Sequence, residues 1–222
     1  MNLNDEKTKN DVGNSSAVKY YDYLANKIED PKETRNKAKD TSVFDSELLK
    51  QFSGQDKKLL DLGSGTGLLI NLIHKDFEYV VAVEKYKEFT KFIKKGNNME
   101  ILNYDLLDYV PPNNKFDVVS LFGVMNYFNK FEAKQVYQKA FDSLKKEGIL
   151  VVKNQMGVAE DVLVNKFSEE LQTKYFSEYR SVENEKKIMK SVGFEIVDVI
   201  DIYPPEFNRW ENTHFYALIC KK

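Results

Sequence analysis

The feature that most constrains the fold is a glycine-rich turn between an apolar run and a helical pattern. It reads Asp61-Leu62-Gly63-Ser64-Gly65-Thr66-Gly67. The apolar residues at 58–62 predict a strand before the turn, and the spacing of residues 66–74 predicts a helix after it. Glycines in such a turn permit positive φ angles and let a ligand approach the backbone closely. The sequence therefore predicts a binding loop at the carboxyl end of a buried strand.

Strand-like and helical runs continue to alternate after this turn. The further predicted strands span residues 79–83, 99–102, 116–122 and 148–153, with helices at 86–95 and 130–144. Residues 80–83 and 118–121 are apolar without alternation, which indicates strands covered on both faces. Residues 193–203 and 213–221 are two more strand-like runs with no room for a crossover helix, so they should pair antiparallel. We therefore predict an α/β fold with a seven-stranded, mostly parallel sheet, an antiparallel last strand and helices on both faces.

The length of 222 residues suits one main domain with modest additions. Residues 1–16 are polar and predict a mobile tail, residues 18–28 a short helix, and residues 30–41 an exposed connection or lid. We assign residues 1–44 to this tail and cap and residues 45–222 to the main domain. A helical insertion is expected at about residues 155–191, because a direct link to the strand at 193 would need far fewer residues.

Charge and composition exclude several classes of protein. The net charge is −2, and basic residues are interspersed with acidic ones rather than clustered as on a nucleic-acid-binding face. No window holds 18 uninterrupted apolar residues, and the N-terminus lacks the apolar core of a signal peptide. The single cysteine, Cys220, excludes an internal disulfide and fits a reducing compartment. We therefore expect a soluble, cytoplasmic protein without nucleic-acid or membrane partners.

Glycine-rich turns also bind dinucleotides, so the spacing of the glycines matters. The dinucleotide pattern G-x-G-x-x-G would require glycine at position 68, which is Leu68, whereas Gly67 lies one position early. Asp61 precedes the first glycine by two positions, where a dinucleotide fingerprint has an apolar residue. A further carboxylate, Asp105, follows the third predicted strand. These details favour another nucleotide cofactor, with an NAD-dependent oxidoreductase kept as an alternative.

On these residues the sequence resembles the class I S-adenosylmethionine-dependent methyltransferases, from Leu59 to about Lys153 and more loosely over the last two strands. The resemblance implies a Rossmann-like sheet, S-adenosylmethionine as methyl donor and S-adenosylhomocysteine as product. It implies that Asp61 orients the donor's amino group, that Glu84 accepts both ribose hydroxyls and that Asp105 takes the adenine amino group. The other implied cofactor contacts lie at the same strand ends or on the N-terminal helix: Gly63, Ser64, Gly65, Gly67, Lys85, Leu106, Phe122 and Tyr21.

Candidates for chemistry at the methyl acceptor come from two places in the sequence. Tyr127 stands where many relatives carry a histidine facing the acceptor, although an aromatic residue there also suits packing on the next helix. His214 has a side chain whose pKa class suits a base near neutral pH, although a lone histidine is more often structural. Lys153 and Asn154 end the fifth strand and are expected to border the acceptor. We predict Tyr127 and His214 as the catalytic residues.

The acceptor itself is narrowed by motifs that the sequence lacks. It has no Asn/Asp-Pro-Pro-Tyr run after the fourth strand, no Pro-Cys nucleophile and no close acid cluster for a metal. We therefore expect methylation of an oxygen or nitrogen of a small polar metabolite by a monomer or homodimer, without a metal. Residues 210–216 vaguely resemble the ending of bacterial enzymes that modify surface-glycan building blocks. A non-catalytic cofactor-binding subunit is a second alternative.

Overall fold

The computed structural model describes residues 13–35, 39–168, 173–208 and 210–222. The first twelve residues of the predicted tail lie outside the described residues, and a helix already begins at Asn14. The strands, β1 to β9, are Gly54–Leu62, Phe77–Val83, Met99–Leu102, Phe116–Phe122, Leu144–Gly157, Val162–Ser168, Thr173–Tyr179, Glu195–Asp201 and Thr213–Lys221. The α-helices, α1 to α6, are Asn14–Ala25, Ser42–Lys50, Ile70–Ile73, Lys87–Thr90, Lys130–Ser143 and Val182–Val192. Short 3-10 helices are Pro31–Arg35, His74–Asp76, Met125–Tyr127 and Pro205–Phe207.

Seven of the strands form one sheet in the order β3-β2-β1-β4-β5-β9-β8. In the run β3-β2-β1-β4-β5 each strand is parallel to the next, whereas β9 pairs antiparallel with both β5 and β8. This confirms the predicted α/β fold and its antiparallel last strand. The strand order reverses between β1 and β4, and ligands of open α/β sheets bind at such a switch point, outside the carboxyl ends of the strands.

Both faces of the sheet are buried, because successive strand residues point to opposite sides. On one face Leu60 and Val119 pack with Tyr137 of α5 and with α6. On the other face Leu59 and Val118 pack with residues of α2 and α3. The uninterrupted apolar runs in the sequence have this cause, since neither face of the central strands meets water.

The predicted helical insertion at about residues 155–191 is wrong for most of its length. Strands β6 and β7 form an antiparallel hairpin, with Val162 opposite Tyr179, and only α6 is helical. Val, Phe and Tyr side chains in these runs favour extended backbone. Contacts with distant residues also hold the hairpin, since the side chain of Asn126 donates to the Ser177 hydroxyl at 2.6 Å.

Other predicted elements have different lengths. The helix predicted at residues 66–74 is one short turn of α-helix at Ile70–Ile73, and the helix predicted at 86–95 is only Lys87–Thr90. In contrast, the strand predicted at 148–153 extends from Leu144 to Gly157. The glycine turn takes up the start of the first of these helices. The start of β5 pairs with β4 at Leu144, and its extension to Gly157 follows the antiparallel partner β9.

A buried arginine anchors the loop that follows β4. Arg180, just after β7, donates to the carbonyl oxygens of Met125 and Phe128, each at 2.7 Å. It also forms a buried ion pair with Glu185 of α6, which accepts a hydrogen bond from the Tyr137 hydroxyl. The loop that carries Tyr127 is therefore held by residues more than fifty positions away in the chain.

We predict that Arg180→Met destabilises the protein by about 3 kcal/mol, because it leaves the Glu185 carboxylate buried without its cation. Lys186→Met is the matched control, since Lys186 pairs with the exposed Glu183 and should change the free energy of unfolding by less than about 0.5 kcal/mol. Urea unfolding curves measure both. Equal stability of the two variants would contradict the anchoring role of Arg180.

Candidate active site

A pocket of about 220 Å³ lies at the carboxyl ends of β1, β2 and β4. Its floor comes from the glycine turn and from residues that end these strands. Its roof comes from Tyr21, Thr34 and Arg35 of the N-terminal segment, residues 13–35. Nine of the residues predicted from the sequence line it: Asp61, Gly63, Ser64, Gly65, Glu84, Phe122, Tyr21, Tyr127 and Lys153. The predicted ligand-binding loop thus lines a cavity at the switch point of the sheet.

The glycine turn has the backbone geometry that the sequence predicted. Gly63, Gly65 and Gly67 all have positive φ, at 81°, 55° and 78°. A Cβ atom on Gly65 would meet nothing within 4 Å, so this backbone is open to a ligand. A Cβ atom on Gly67 would lie 2.7 Å from Cγ1 of Ile93. Gly67 does not line the pocket, and its small size serves packing beneath the loop.

Two buried carboxylates stand at the floor of the pocket. Asp61 accepts a hydrogen bond from the Ser120 hydroxyl at 2.6 Å. Glu84 accepts from the backbone N–H of Gly65 at 2.9 Å and of Tyr86 at 3.0 Å, so it ties the glycine turn to the end of β2. Burial raises the pKa of both carboxyls above their ordinary values. Such carboxylates suit a ligand that brings hydroxyl or ammonium donors.

Asp105, Leu106 and Lys85 line a smaller adjoining pocket, which shares Gly63 and Glu84 with the first one. Lys85 forms an ion pair with Asp105 at 3.0 Å. The other carboxylate oxygen of Asp105 accepts from the backbone N–H of Leu107 at 2.9 Å. These three predicted residues therefore lie together beside Glu84, after the carboxyl ends of β2 and β3.

The N-terminal segment lies over the pocket and is tied to it by hydrogen bonds. The Thr66 hydroxyl of the glycine turn donates to the carbonyl oxygen of Pro31 at 2.7 Å, and it lies 3.3 Å from the Thr34 hydroxyl. On the other side, the hydroxyl of Tyr21 on α1 donates to the hydroxyl of Tyr127. Residues from both ends of this segment thus close the pocket from above.

A second pocket of about 130 Å³ adjoins the first. Arg35, Gly123, Tyr127 and Lys153 line both pockets and form the boundary between them. The remaining walls of the second pocket come from residues 39–41, the loop after β4, the strands β5, β7 and β9, and the loop before β9: Lys39, Thr41, Asn126, Gln155, Tyr179, Phe207 and Phe215. Two different ligands can therefore meet at Tyr127 and Lys153.

The Lys153 ammonium is held by a buried cluster that sequence reasoning missed. It lies 3.2 Å from the carboxylate of Asp45 on α2, which also accepts from the Tyr203 hydroxyl. Burial alone would lower the pKa of Lys153, but Asp45 and Tyr203 outweigh it, and the pKa lies above its ordinary value. Asp45 lies three and four residues before the buried Leu48 and Leu49. An acid on the apolar side of a helix is the signal that could have revealed it.

The predicted catalytic residue His214 lies outside both pockets, and the prediction is corrected on this point. His214 is on β9, where its ring stacks on Tyr216 and its Nδ1 atom lies 3.0 Å from the Asp201 carboxylate. Its neighbour Phe215 lines the second pocket. Adjacent strand residues point to opposite faces, so His214 faces away from that pocket. The direction of the His214 side chain depends on the register of the last strand, which the sequence pattern did not show.

Comparisons with known proteins agree with this geometry. The methyltransferase domain family matches residues 59–148. The carboxy-S-adenosyl-L-methionine synthase of Nautilia profundicola is 22% identical over 193 residues, covering 75% of this chain and 78% of that protein.

Two solved structures extend the likeness. A Leishmania major S-adenosylmethionine-dependent methyltransferase has 15% identity and a TM-score of 0.72 over 93% of this chain and 82% of its own. A Burkholderia thailandensis 1,6-didemethyltoxoflavin-N1-methyltransferase, solved with its substrate and S-adenosylhomocysteine, has 13% identity and a TM-score of 0.69, covering 94% and 88%.

The domain match, the sheet and the glycine turn with its acidic strand ends support a class I S-adenosylmethionine-dependent methyltransferase. Its cofactor is S-adenosylmethionine. The site fits this cofactor: open glycine backbone faces the pocket, and buried carboxylates offer acceptors to hydroxyl and ammonium groups. None of these comparisons points to an NAD-dependent oxidoreductase or to a non-catalytic subunit.

We predict that Glu84→Ala weakens S-adenosylhomocysteine binding by about tenfold to a hundredfold, because the glycine turn loses its acceptor and the ribose hydroxyls lose theirs. Glu88→Ala is the matched control, since Glu88 is exposed on the neighbouring helix and should bind normally. Titration calorimetry measures both affinities. Equal affinities would exclude Glu84 from the cofactor site.

We also predict that S-adenosylhomocysteine affinity falls on acidification and begins to fall above the ordinary pH range of carboxyl groups. Burial raises the pKa of Asp61 and Glu84, and protonation removes the negative charge that attracts the ligand's ammonium group. In Asp61→Asn the Asp61 part of this dependence should vanish, whereas the surface variant Asp76→Asn should retain all of it. Calorimetry over a pH series is the measurement. An affinity that stays flat down to the ordinary carboxyl range would refute the prediction.

Proposed function

We propose that the chain transfers the methyl group of S-adenosylmethionine to an oxygen or nitrogen of a small polar metabolite held in the second pocket. The observation that carries this proposal is that the two pockets share Arg35, Gly123, Tyr127 and Lys153. Methyl transfer is a displacement in which donor and acceptor must lie in line at short distance. Two cavities that meet at a common wall provide that arrangement.

In this proposal the first pocket orients the donor. Asp61 accepts from its amino group, and Glu84 accepts from its ribose hydroxyls, because a carboxylate offers strong charge-assisted hydrogen bonds to both. Asp105 and Leu106 bound the adenine in the adjoining pocket, with Lys85 holding Asp105. Phe122, Tyr21 and the backbone of Gly63, Ser64 and Gly65 enclose the rest.

Tyr127 is the residue that we assign to the reacting centre. It lines both pockets, and its hydroxyl is held by Tyr21. Lys153 also lines both pockets, but its raised pKa keeps it an ammonium ion and therefore unsuited to accept a proton. We assign Lys153 to binding and orientation, and Tyr127 to positioning the acceptor's reacting atom.

We propose that residues 1–44 act as a cap that excludes water from the donor and that residues 45–222 form the methyltransferase domain. The hydrogen bonds from Thr66 to Pro31 and from Tyr21 to Tyr127 support this division. Within the described residues, no helix has the length and apolar character needed to cross a membrane. A small-molecule acceptor, action as a monomer or homodimer and a cytoplasmic location complete the proposal.

The acceptor is sought by mass spectrometry with a methyl-deuterated donor. The panel of metabolites includes amino acids, organic acids, amines and nucleotide sugars, because surface-glycan building blocks are one class that the C-terminal sequence suggests. The Nautilia relative is named as a synthase of a modified donor, so the donor's own fate is followed in the same spectra. Transfer of the labelled methyl to a metabolite supports the proposal, and label found only in a modified donor overturns it.

We predict that Tyr127→Phe lowers turnover of the identified acceptor by roughly tenfold while S-adenosylhomocysteine affinity stays the same, because only the positioning hydroxyl is removed. Tyr23→Phe is the matched control, since Tyr23 is half exposed on the same helix as Tyr21 and lines neither pocket. Steady-state kinetics measure both. Unchanged turnover in Tyr127→Phe would exclude the proposed role.

A further inference from the structure

The second pocket differs from the first in its charge. Arg35, Lys39 and Lys153 all line it, and among the described residues that line it none is a carboxylate. The first pocket shares Arg35 and Lys153 but is also lined by the carboxylates of Asp45, Asp61 and Glu84. The walls of the two cavities therefore differ in net charge, although the cavities share a boundary.

The cations of the second pocket exceed the nearby carboxylates. Asp45 lies 3.2 Å from Lys153 and 3.6 Å from Arg35, so one negative charge faces two positive ones. Within the described residues Lys39 has no carboxylate partner, and its ammonium lies 4.9 Å from the centre of the Phe207 ring. Asp40 also attracts Arg35 but is paired with Lys32 at 3.4 Å, so the described cations around this cavity still exceed the described carboxylates by two.

Lys153 is a built part of this site rather than a mobile surface charge. Only 4% of the residue is exposed, and Asp45 and Tyr203 hold its ammonium between the two pockets. Arg35 is fixed as well, because it donates to the hydroxyls of Thr41 at 2.7 Å and Ser42 at 2.8 Å. A ligand that enters the pocket thus meets cations already in place, which reduces the entropy lost on binding.

The remaining walls are flat and apolar. Aromatic rings of Tyr127, Tyr179, Phe207 and Phe215 also line the pocket, and the Lys153 ammonium lies 5.9 Å from the centre of the Phe215 ring. Aromatic walls favour planar, apolar ligand bodies. The polar side chains of Asn126 and Gln155 add neutral hydrogen-bonding groups but no negative charge.

We propose that the acceptor is a small organic anion with a planar, apolar body, whose carboxylate or phosphate binds among Arg35, Lys39 and Lys153. This inference rests on the proposed function, because it assigns the second pocket to the acceptor. Fixed cations on a cavity with aromatic walls recognise such anions by charge and shape together. Arg35 also lines the donor pocket, so the donor's own carboxylate can share its charge. Lys153 lines both pockets as well, so Lys39 is the described cation that lines the second pocket alone and carries the selection of the acceptor.

The test uses fluorine NMR on the full chain saturated with S-adenosylhomocysteine, so that the donor's carboxylate is already in place. The probes are 4-fluorobenzoate, 4-fluorophenyl phosphate and the neutral 4-fluorobenzamide, which separate carboxylate, phosphate and uncharged ligands. We expect one of the anions to bind at least about fivefold more tightly than the amide, and its affinity to fall as salt is added. Equal binding of the three probes, or preference for the amide, would overturn the proposal.

Variants of Lys39 test whether the anionic probe binds in the second pocket. Lys39→Gln should weaken binding of the preferred anion about fivefold, and Lys39→Arg should retain it because the charge remains. Lys75→Gln is the matched control, since Lys75 is exposed and lines neither pocket. Anion binding that Lys39→Gln leaves unchanged would place the anion elsewhere and overturn the proposal.

Failure of the proposed function would give a different result from failure of the anionic-acceptor proposal. Titration of S-adenosylhomocysteine alone, followed by calorimetry, precedes the probe experiments. Absence of that binding would refute the donor pocket and with it the proposed function. Normal binding of S-adenosylhomocysteine together with indifference to probe charge would refute only the anionic acceptor.

Discussion

The buried ion pair between Asp45 and Lys153 joins the parts of the chain from which the active site is built. Asp45 comes from α2, Lys153 from the end of β5, and Tyr203, which donates to Asp45, from the loop after β8. Breaking a buried pair leaves a charge without solvent or partner, which is strongly unfavourable. These three segments must therefore come together when the protein folds. The boundary between the first and second pockets lies at the point where they meet.

The charge of the site changes from negative at the floor of the first pocket to positive in the second pocket. Asp61 and Glu84 give the first pocket a negative floor, whereas Lys39, with Arg35 and Lys153 at the shared boundary, gives the second pocket a positive wall. In a cavity shielded from water, electrostatic interactions are stronger than at the surface. A cofactor with ammonium and hydroxyl donors and an acceptor with an anionic group would each be drawn to one end. Their reacting atoms would then meet near Tyr127.

The part of the chain shared with the methyltransferase domain family ends near the middle of β5, at residue 148. It contains the glycine turn, Glu84, Asp105 and Tyr127, which form the donor side and its border. Most of the walls of the second pocket lie outside it, on Arg35 and residues 39–41 and on residues from Lys153 onward. Related folds can therefore keep one cofactor site and change the acceptor, because specificity is set by residues attached to the common sheet.

The sequence by itself determined the alternation of strands and helices, the ends of β3, β4 and β9, the antiparallel last strand and the glycine turn with acids at later strand ends. These features depend on periodicity and turn chemistry, which neighbouring residues carry. Only the tertiary structure decided that residues 162–168 and 173–179 pair as antiparallel strands, that His214 faces away from the pockets and that Asp45 meets Lys153. Each of these depends on strand register or on contacts between distant residues. Local patterns do not encode such contacts, because burial and pairing energies arise only once the chain is packed.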